Sequence, residues 1–140
     1  MSRDEGSTLP LTIFFGMLSL ALILVVVAST SLYLERKRLF SLADAAALVG
    51  AESFDLADVT AGPDGFRPTL RSPDVAAAVT AYLSGIPIDL TELTLEKAAT
   101  LDGRSATVTL SAVWHAPVLE TFLPEGVRIE VTSVARSVFD

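Results

Sequence analysis

The most constraining feature of this sequence is an uncharged apolar run of 26 residues, from Leu9 to Leu34. About 20 predominantly apolar residues are enough to cross a hydrocarbon core of about 30 Å, so the run can span it with some tilt. Its few hydroxyl side chains can bond back to their own helix and are tolerated in lipid. A core helix of a soluble domain would be shorter. The run therefore predicts a transmembrane helix at residues 9–34.

The residues that follow the run are typical of a membrane–water interface. Tyr33 stands where interfacial aromatic side chains are enriched. Three cations then form what we call the basic collar: Arg36, Lys37 and Arg38. By the positive-inside rule, the collar favours a cytoplasmic C-terminal domain. Ordinary secretory cleavage after Ala28 is poorly supported, because the apolar run is too long for a signal peptide.

Composition excludes several classes of function. After Leu39 the chain has fourteen acidic and six basic residues, which argues against nucleic acid as a partner. The chain has no cysteine and a single histidine, His115, which leaves little material for a metal site. The common catalytic motifs are missing, and His115 is predicted to be a surface or rim residue. We therefore expect neither an enzyme nor a cofactor.

The transmembrane helix is predicted to continue through the collar to about Phe54 or Leu56, because neither Gly nor Pro interrupts residues 38–49. The core-facing side of this extension is rich in alanine, so a neighbouring element must approach it closely. The predicted packing residues are Ala43, Asp44, Ala46, Ala47 and Gly50. Packing against the chain's own sheet is favoured over packing against another subunit, and the two are compatible.

The remaining residues, 59–140, predict a small α+β domain. The turn-rich stretch Thr60–Arg71 is expected to be a loop. Ser72 then predicts an N-cap, Pro73 the first helical position, and Gly85 the end of a second helix. The chain as a whole divides into a polar head at 1–8, the transmembrane helix at 9–34, its extension at 35–58 and the domain at 59–140.

Three antiparallel strands are predicted from alternating sequence. Asp102-Gly103 signals a hairpin with a two-residue turn, in which Leu101 faces Arg104. A third strand, from Val127 to about Val138, is expected to pair with the strand from Ser105 to His115. The hairpin register would pair Leu95 with Leu110, Thr94 with Ser111, Ala99 with Ala106 and, as its one misfit, Lys97 with Val108.

The connection between the last two strands, residues 116–126, is long for a hairpin and apolar. It carries Val118, Leu119, Phe122 and Leu123. Such loops usually cover the open end of a core, and less often they contact a partner or a membrane.

The order of these features resembles one known family. Gly6, the apolar run, the sequence YLERKR and then the stretch A-D-A-A-A-L-x-G-A at residues 43–51 look like the TadE/TadG-like proteins, most of all the short TadG-like type of actinobacteria. These are pilin-like proteins of Flp (tight-adherence) pili and related type II/IV secretion-like systems. The resemblance covers about the first 54 residues and implies a pilin-like fold.

The resemblance implies a membrane-anchored minor pilin or assembly factor whose C-terminal domain is exported, against the charge count of the collar. Its partners would be the lipid bilayer and other pilin-like subunits, in a homo- or hetero-oligomer. Prepilin cleavage would fall between Gly6 and Ser7, but the glutamate expected at the fifth position after the cut is replaced by Leu11. The alternative is a single-pass membrane protein with a small binding or sensing domain unrelated to pili.

Overall fold

The computed structural model describes residues 5–54, 59–63 and 65–137. It has the predicted α+β architecture, with a long N-terminal helix, a second helix and a three-stranded antiparallel sheet. The elements, in chain order, are α1 (Glu5–Ala51), β1 (Val59–Gly62), β2 (Gly65–Pro68), α2 (Ser72–Gly85), β3 (Thr94–Thr100), β4 (Ser105–Trp114) and β5 (Val127–Arg136).

The apolar run and its extension form one continuous helix, α1. Hydroxyl groups in the run bond back by four residues as expected, for example Thr12 Oγ1 to the Thr8 carbonyl at 2.8 Å. The helix ends at Ala51, three residues before the predicted Phe54, while Leu56 lies outside the described residues. The end comes early because Ser53 closes the last turn, donating its N–H and its hydroxyl to the Gly50 carbonyl.

Two compact units are present. One contains the membrane-spanning part of α1 together with residues His115–Gly126. The other begins at Glu35, runs to Trp114 and resumes with β5. The second unit holds the core, in which the extension of α1, α2 and one face of the sheet bury apolar side chains against each other.

The sheet has the order β3-β4-β5, with β4 in the centre. The predicted third strand is confirmed, because β5 pairs with β4 along its whole length, from Ser105 opposite Arg136 to Trp114 opposite Val127. The central strand is buried on both faces over residues 106–113, because the helices cover one face and side chains of the flanking strands, such as Glu96 and Arg128, extend over the other.

The predicted register of the hairpin formed by β3 and β4 holds only at its open end. Thr94 and Leu95 pair as predicted, but a bulge at Glu96 shifts the rest by one residue, so Lys97 faces Thr109 and Ala98 faces Val108. The shift removes the misfit of the uniform register, because Val108 is fully buried and would have faced a lysine. The predicted pair of Ala99 with Ala106 is therefore wrong, and the four residues 101–104 replace the two-residue turn.

The start of α2 also differs from the prediction. The helix begins at Ser72, and Arg71 occupies the cap position without a side-chain cap bond. The Ser72 hydroxyl instead donates to the carbonyl of Thr100 and accepts from its N–H, both at 3.2 Å. A serine that suits an N-cap is thus used to attach the first turn of α2 to the end of β3.

The predicted loop at Thr60–Arg71 contains a short hairpin. Strands β1 and β2 pair from Val59 opposite Pro68 to Gly62 opposite Gly65. Gly65 has φ +103, a value that favours glycine and fits the tight turn which the sequence signals indicated. The turn residues were therefore recognised correctly, but the four-residue strands on either side of them were missed.

Candidate functional site

The apolar half of α1 exposes almost all of its large side chains. From Leu9 at 63% to Val27 at 43%, exposed residues follow one another on every side of the helix. The helix from Thr8 to Ala51 is long and apolar enough to cross a membrane, and its most apolar 18-residue window, of mean hydropathy 2.8, has no buried residue. A core helix of a soluble protein would bury at least one face, so lipid is the environment that suits this surface.

The predicted interface residues are exposed. Tyr33 is 66% exposed, and the three side chains of the basic collar are also exposed. Arg38 forms an ion pair with Glu35, with 3.7 Å between Nη1 and Oε2. This pair partly offsets the positive charge of the collar, and at a water-exposed position it adds little to stability.

The alanine-rich face of the extension is buried in the core. Ala43, Ala46 and Ala47 are fully buried and Ala51 is 1% exposed. A Cβ atom added to Gly50 would lie 3.1 Å from Ala106 Cβ, 3.1 Å from Val75 Cγ1 and 3.3 Å from Val79 Cγ2. Gly50 therefore lets both the central strand and α2 approach the backbone of α1.

Asp44, the charged member of the predicted packing set, has a different environment. Its side chain is exposed at the rim of the buried face, and Oδ1 accepts a hydrogen bond of 2.9 Å from the hydroxyl of Ser133. Ser133 is 5% exposed on β5, so Asp44 provides the acceptor for a buried hydroxyl. Four of the five predicted packing residues thus face the chain's own domain, and Asp44 hydrogen-bonds β5 beside them.

A flank of the extension, next to the buried face, is exposed and partly apolar. Phe40 is 49% and Leu48 is 50% exposed, and Asp44 lies between them at spacings of four residues. Side chains at such spacings form one ridge along a helix. We call these three residues the outer ridge of α1.

Sequence reasoning missed a polar network on the sheet face opposite the core. Arg128 Nη1 donates to Ser111 Oγ at 2.8 Å, and the Ser111 hydroxyl donates to Glu96 Oε1 at 2.6 Å. Arg128 Nη2 also lies 3.6 Å from Glu92 Oε2. Glu96 accepts the hydrogen bond of the fully buried Ser111 hydroxyl. The network could not be found without the bulge, which changes the neighbours of Glu96.

Neither a metal site nor an unsatisfied polar group appears in the described part of the chain. Its His, Asp and Glu residues form no group of three that could hold a metal ion. Every buried side-chain nitrogen and oxygen there has a hydrogen-bond partner. His115 is partly exposed directly after β4.

The predicted cleavage position lies in the first turn of α1, which contains Gly6 and Ser7. Cleavage there stays a prediction.

Comparison with known proteins supports one family. Residues 6–53 match the model of a family described as Flp pilus-assembly TadE/G-like. No curated protein and no solved structure matches the chain significantly. The matched segment begins at Gly6 and includes the membrane-spanning run, the basic collar and the buried alanine face, so it confirms the resemblance found in the sequence.

Proposed function

Because residues 6–53 of this chain are TadE/G-like, which supports a part in Flp pilus assembly, we propose that it is a membrane-anchored minor pilin or assembly factor of such a pilus. The chain is a single-pass membrane protein in which α1 is the anchor. In the proposal its α+β domain lies outside the cytoplasm and contacts other pilin-like subunits.

The observation that carries the proposal is the agreement between the family match and one structural element. The match covers residues 6–53, and α1 covers Glu5–Ala51. One helix therefore holds both the membrane anchor and the alanine face on which the domain is built.

The outer ridge of α1 supports contact with further subunits. Phe40 and Leu48 expose apolar surface on a helix whose other face is already buried. Exposed apolar side chains that recur at helical spacing are suited to packing against another helix. A second pilin-like subunit, anchored in the same membrane, would present its own helix at the same height.

Leu11 favours a minor role over that of a bulk subunit. In the pilins that this chain resembles, a glutamate stands at the fifth position after the cleavage point, and here that position holds Leu11. A cap, initiator or membrane-retained assembly factor fits this replacement better than a subunit repeated along a filament.

The second candidate, a membrane-bound sensing or binding domain, is favoured by the basic collar, which by charge count would hold the domain in the cytoplasm. Topology separates the two candidates. The chain has no cysteine, so Ala77→Cys, an exposed position on α2, gives a single labelling site. We expect a membrane-impermeant maleimide to label this variant in intact cells. Labelling only after lysis would overturn the pilin-like proposal.

Intact-mass analysis of the protein from its native host tests how it is processed. A mature chain that starts at Ser7 would identify a processed pilin-like subunit. A start at Met1 or Ser2 would identify a permanently anchored assembly factor. A start near Ser29 would mean ordinary secretion and would overturn the membrane anchor.

A photo-crosslinker at Leu48 tests the proposed contact. We expect it to form adducts with another pilin-like subunit, identified by mass spectrometry, whereas the same crosslinker at Ala77 serves as the matched control. Equal adducts from both positions would show that the outer ridge is not a specific contact.

A further inference from the structure

The connection between β4 and β5 exposes more apolar surface than a water-facing loop needs. Within it Phe122 is 80% exposed, Val118 is 68% and Leu123 is 53%. We call residues His115–Gly126 the apolar loop. The expectation that it covers the open end of a core does not explain these three side chains, because they face outward.

The loop is ordered by its own backbone bonds. The N–H groups of Phe122 and Leu123 both donate to the Leu119 carbonyl at 2.9 Å, and Leu119 N–H donates to Ala116 at 3.2 Å. These consecutive turns order the backbone that carries the apolar side chains. Their exposure is therefore a property of a defined conformation.

Val118 adds a sign of strain. Its φ is +68°, in the left-handed region where β-branched residues are rare outliers. Such strain persists only where the surrounding structure imposes it, and it is concentrated at functional sites. The same loop thus carries a strained, exposed valine and, four residues later, an exposed phenylalanine, and this combination indicates a functional surface.

The apolar loop belongs to the same compact unit as the membrane-spanning part of α1. On that helix the partly covered residues form one stripe, whereas the residues around it are exposed. The stripe consists of Leu24, Ala28, Ser31 and Leu32. Spacings of three and four residues place all of them on one side of the helix. The loop is the non-helical segment of this unit.

We propose that the apolar loop is a second membrane-contacting element, which lies beside the span in the interfacial zone and inserts Phe122 and its apolar neighbours among the lipids. The uncharged run has 26 residues, and about 20 suffice for the hydrocarbon core. At about 1.5 Å per residue, the excess leaves roughly 9 Å of apolar helix for the interface. Ser31 and Leu32, the last two residues of the stripe, lie within that zone.

The charges of the loop set the depth and the lipid dependence. Glu120 and Glu125 are exposed, and the loop has no Lys or Arg. Carboxylates are costly in hydrocarbon, so the loop stays at the headgroup level. Its contact depends on apolar insertion, and anionic lipids should weaken it, in contrast to a basic amphipathic segment that they would attract.

A single labelled cysteine tests the proposal in the full-length protein. Phe122→Cys, labelled with the environment-sensitive dye NBD, is reconstituted into phosphatidylcholine vesicles. The matched control is Leu101→Cys, because Leu101 is also apolar and 76% exposed but lies in the β3–β4 connection. Tyr33→Cys marks the interface. Far-UV circular dichroism and Trp114 fluorescence confirm that each labelled protein is folded.

We expect the label at residue 122 to emit further to the blue than the label at 101, and spin-labelled headgroups to quench it several-fold more strongly, close to the label at 33. Phosphatidylglycerol should reduce this difference. Equal emission and quenching at 122 and 101 would overturn the proposal. So would a blue shift that requires another pilus protein and is insensitive to lipid quenchers, since that result would identify a protein-contact surface.

Discussion

The two halves of α1 are both helical and both apolar, but their side chains differ in size and exposure. The span is built from Leu, Ile, Val and Phe, nearly all exposed. The buried face of the extension is built from Ala and Gly, with Leu39 at its start. Hydrophobicity alone does not separate the two environments. Side-chain size does, because a sheet can approach a helix closely only where the helix is thin, whereas lipid chains adapt to bulky residues.

The energetic origin of the difference is the solvent. Lipid tails are as apolar as leucine, so the span gains no hydrophobic free energy by covering itself with protein. The extension is surrounded by water, and burial of its apolar face against the sheet is worth roughly 25 cal/mol per Å². The same substitution should therefore have different consequences in the two halves.

The largest effect is expected from enlarging a buried alanine. Ala46→Leu adds three carbon atoms at a fully buried position, and overpacking typically costs about 1–3 kcal/mol, occasionally more. Ala21→Leu makes the same change at an exposed position in the span and should leave the stability of the domain unchanged. Denaturant unfolding in detergent, followed by the single tryptophan Trp114, measures both. Equal losses in the two variants would contradict the assignment of the two environments.

A smaller effect is expected when Gly50 and Gly16, one glycine from each half of α1, are each replaced by alanine. Gly50→Ala places a Cβ 3.1 Å from two neighbours, and we expect a net loss of about 1 kcal/mol because overpacking outweighs the helix propensity gained. Gly16→Ala, whose new Cβ meets nothing within 4 Å beyond its chain neighbours and the backbone of its own helix, should be neutral or slightly stabilising. Thermal unfolding of the two variants provides the measurement. A stabilised Gly50→Ala protein would show that α1 and the sheet do not pack this closely.

The two partners of the hydrogen bond between Ser133 and Asp44 should differ in how much stability is lost when each is replaced by alanine. Asp44→Ala leaves the buried Ser133 hydroxyl without its acceptor and should cost about 1–2 kcal/mol. Ser133→Ala leaves an exposed carboxylate that water can solvate, so about 0.5 kcal/mol is expected. The double variant completes a cycle that isolates the coupling of the pair. A coupling of zero would mean that the bond contributes nothing to holding β5 on the helix.

The sequence predicted the elements that depend on local signals. The long N-terminal helix, its alanine face, the C-terminal end of α2 and the third strand all follow from composition or periodicity, and the structure has them where expected. The bulge at Glu96 was not predicted, because it depends on which cross-strand partner is buried, and a uniform register gives no reason to break at one residue rather than another. Lys97 opposite Val108 was the signal that could have indicated it.

The contacts that join separate elements could not be predicted from the sequence either. Ser72 carries the signature of an N-cap, and only the position of Thr100 shows that its hydroxyl is used elsewhere. The short hairpin of β1 and β2 was missed because each strand has only four residues, VTAG and GFRP, and neither shows a hydrophobic alternation that would mark it. Exposure of Phe122 follows from the turns of the apolar loop, which sequence patterns do not specify.

The smallest expected effect is a difference between the domain and the span in how stability responds to acid. The backbone N–H groups of Ser105 and Arg104, with the Ser105 hydroxyl, donate to the carboxylate and lower the pKa of Asp102 from 3.8 to about 2. A depressed folded-state pKa stabilises the domain above pH 3.8, and this contribution is lost as the pH falls towards 2. The span, from Leu9 to Leu34, has no carboxylate and so has no corresponding loss.

Asp102→Asn should therefore flatten the dependence of the domain's unfolding free energy on pH between about 4 and 2, relative to the unsubstituted chain. Ser105→Ala, which removes the hydroxyl bond and keeps both backbone bonds, should give an intermediate slope. Denaturant titrations at several pH values measure the slopes, and far-UV circular dichroism reports helix that persists in detergent. Identical slopes in all three proteins would show that the turn carboxylate is equally protonated in the folded and unfolded domain. If acid removed the helical signal of the span together with the domain, the two halves of α1 would be one cooperative unit, and the contrast between lipid-facing and protein-facing packing would not extend to their stability.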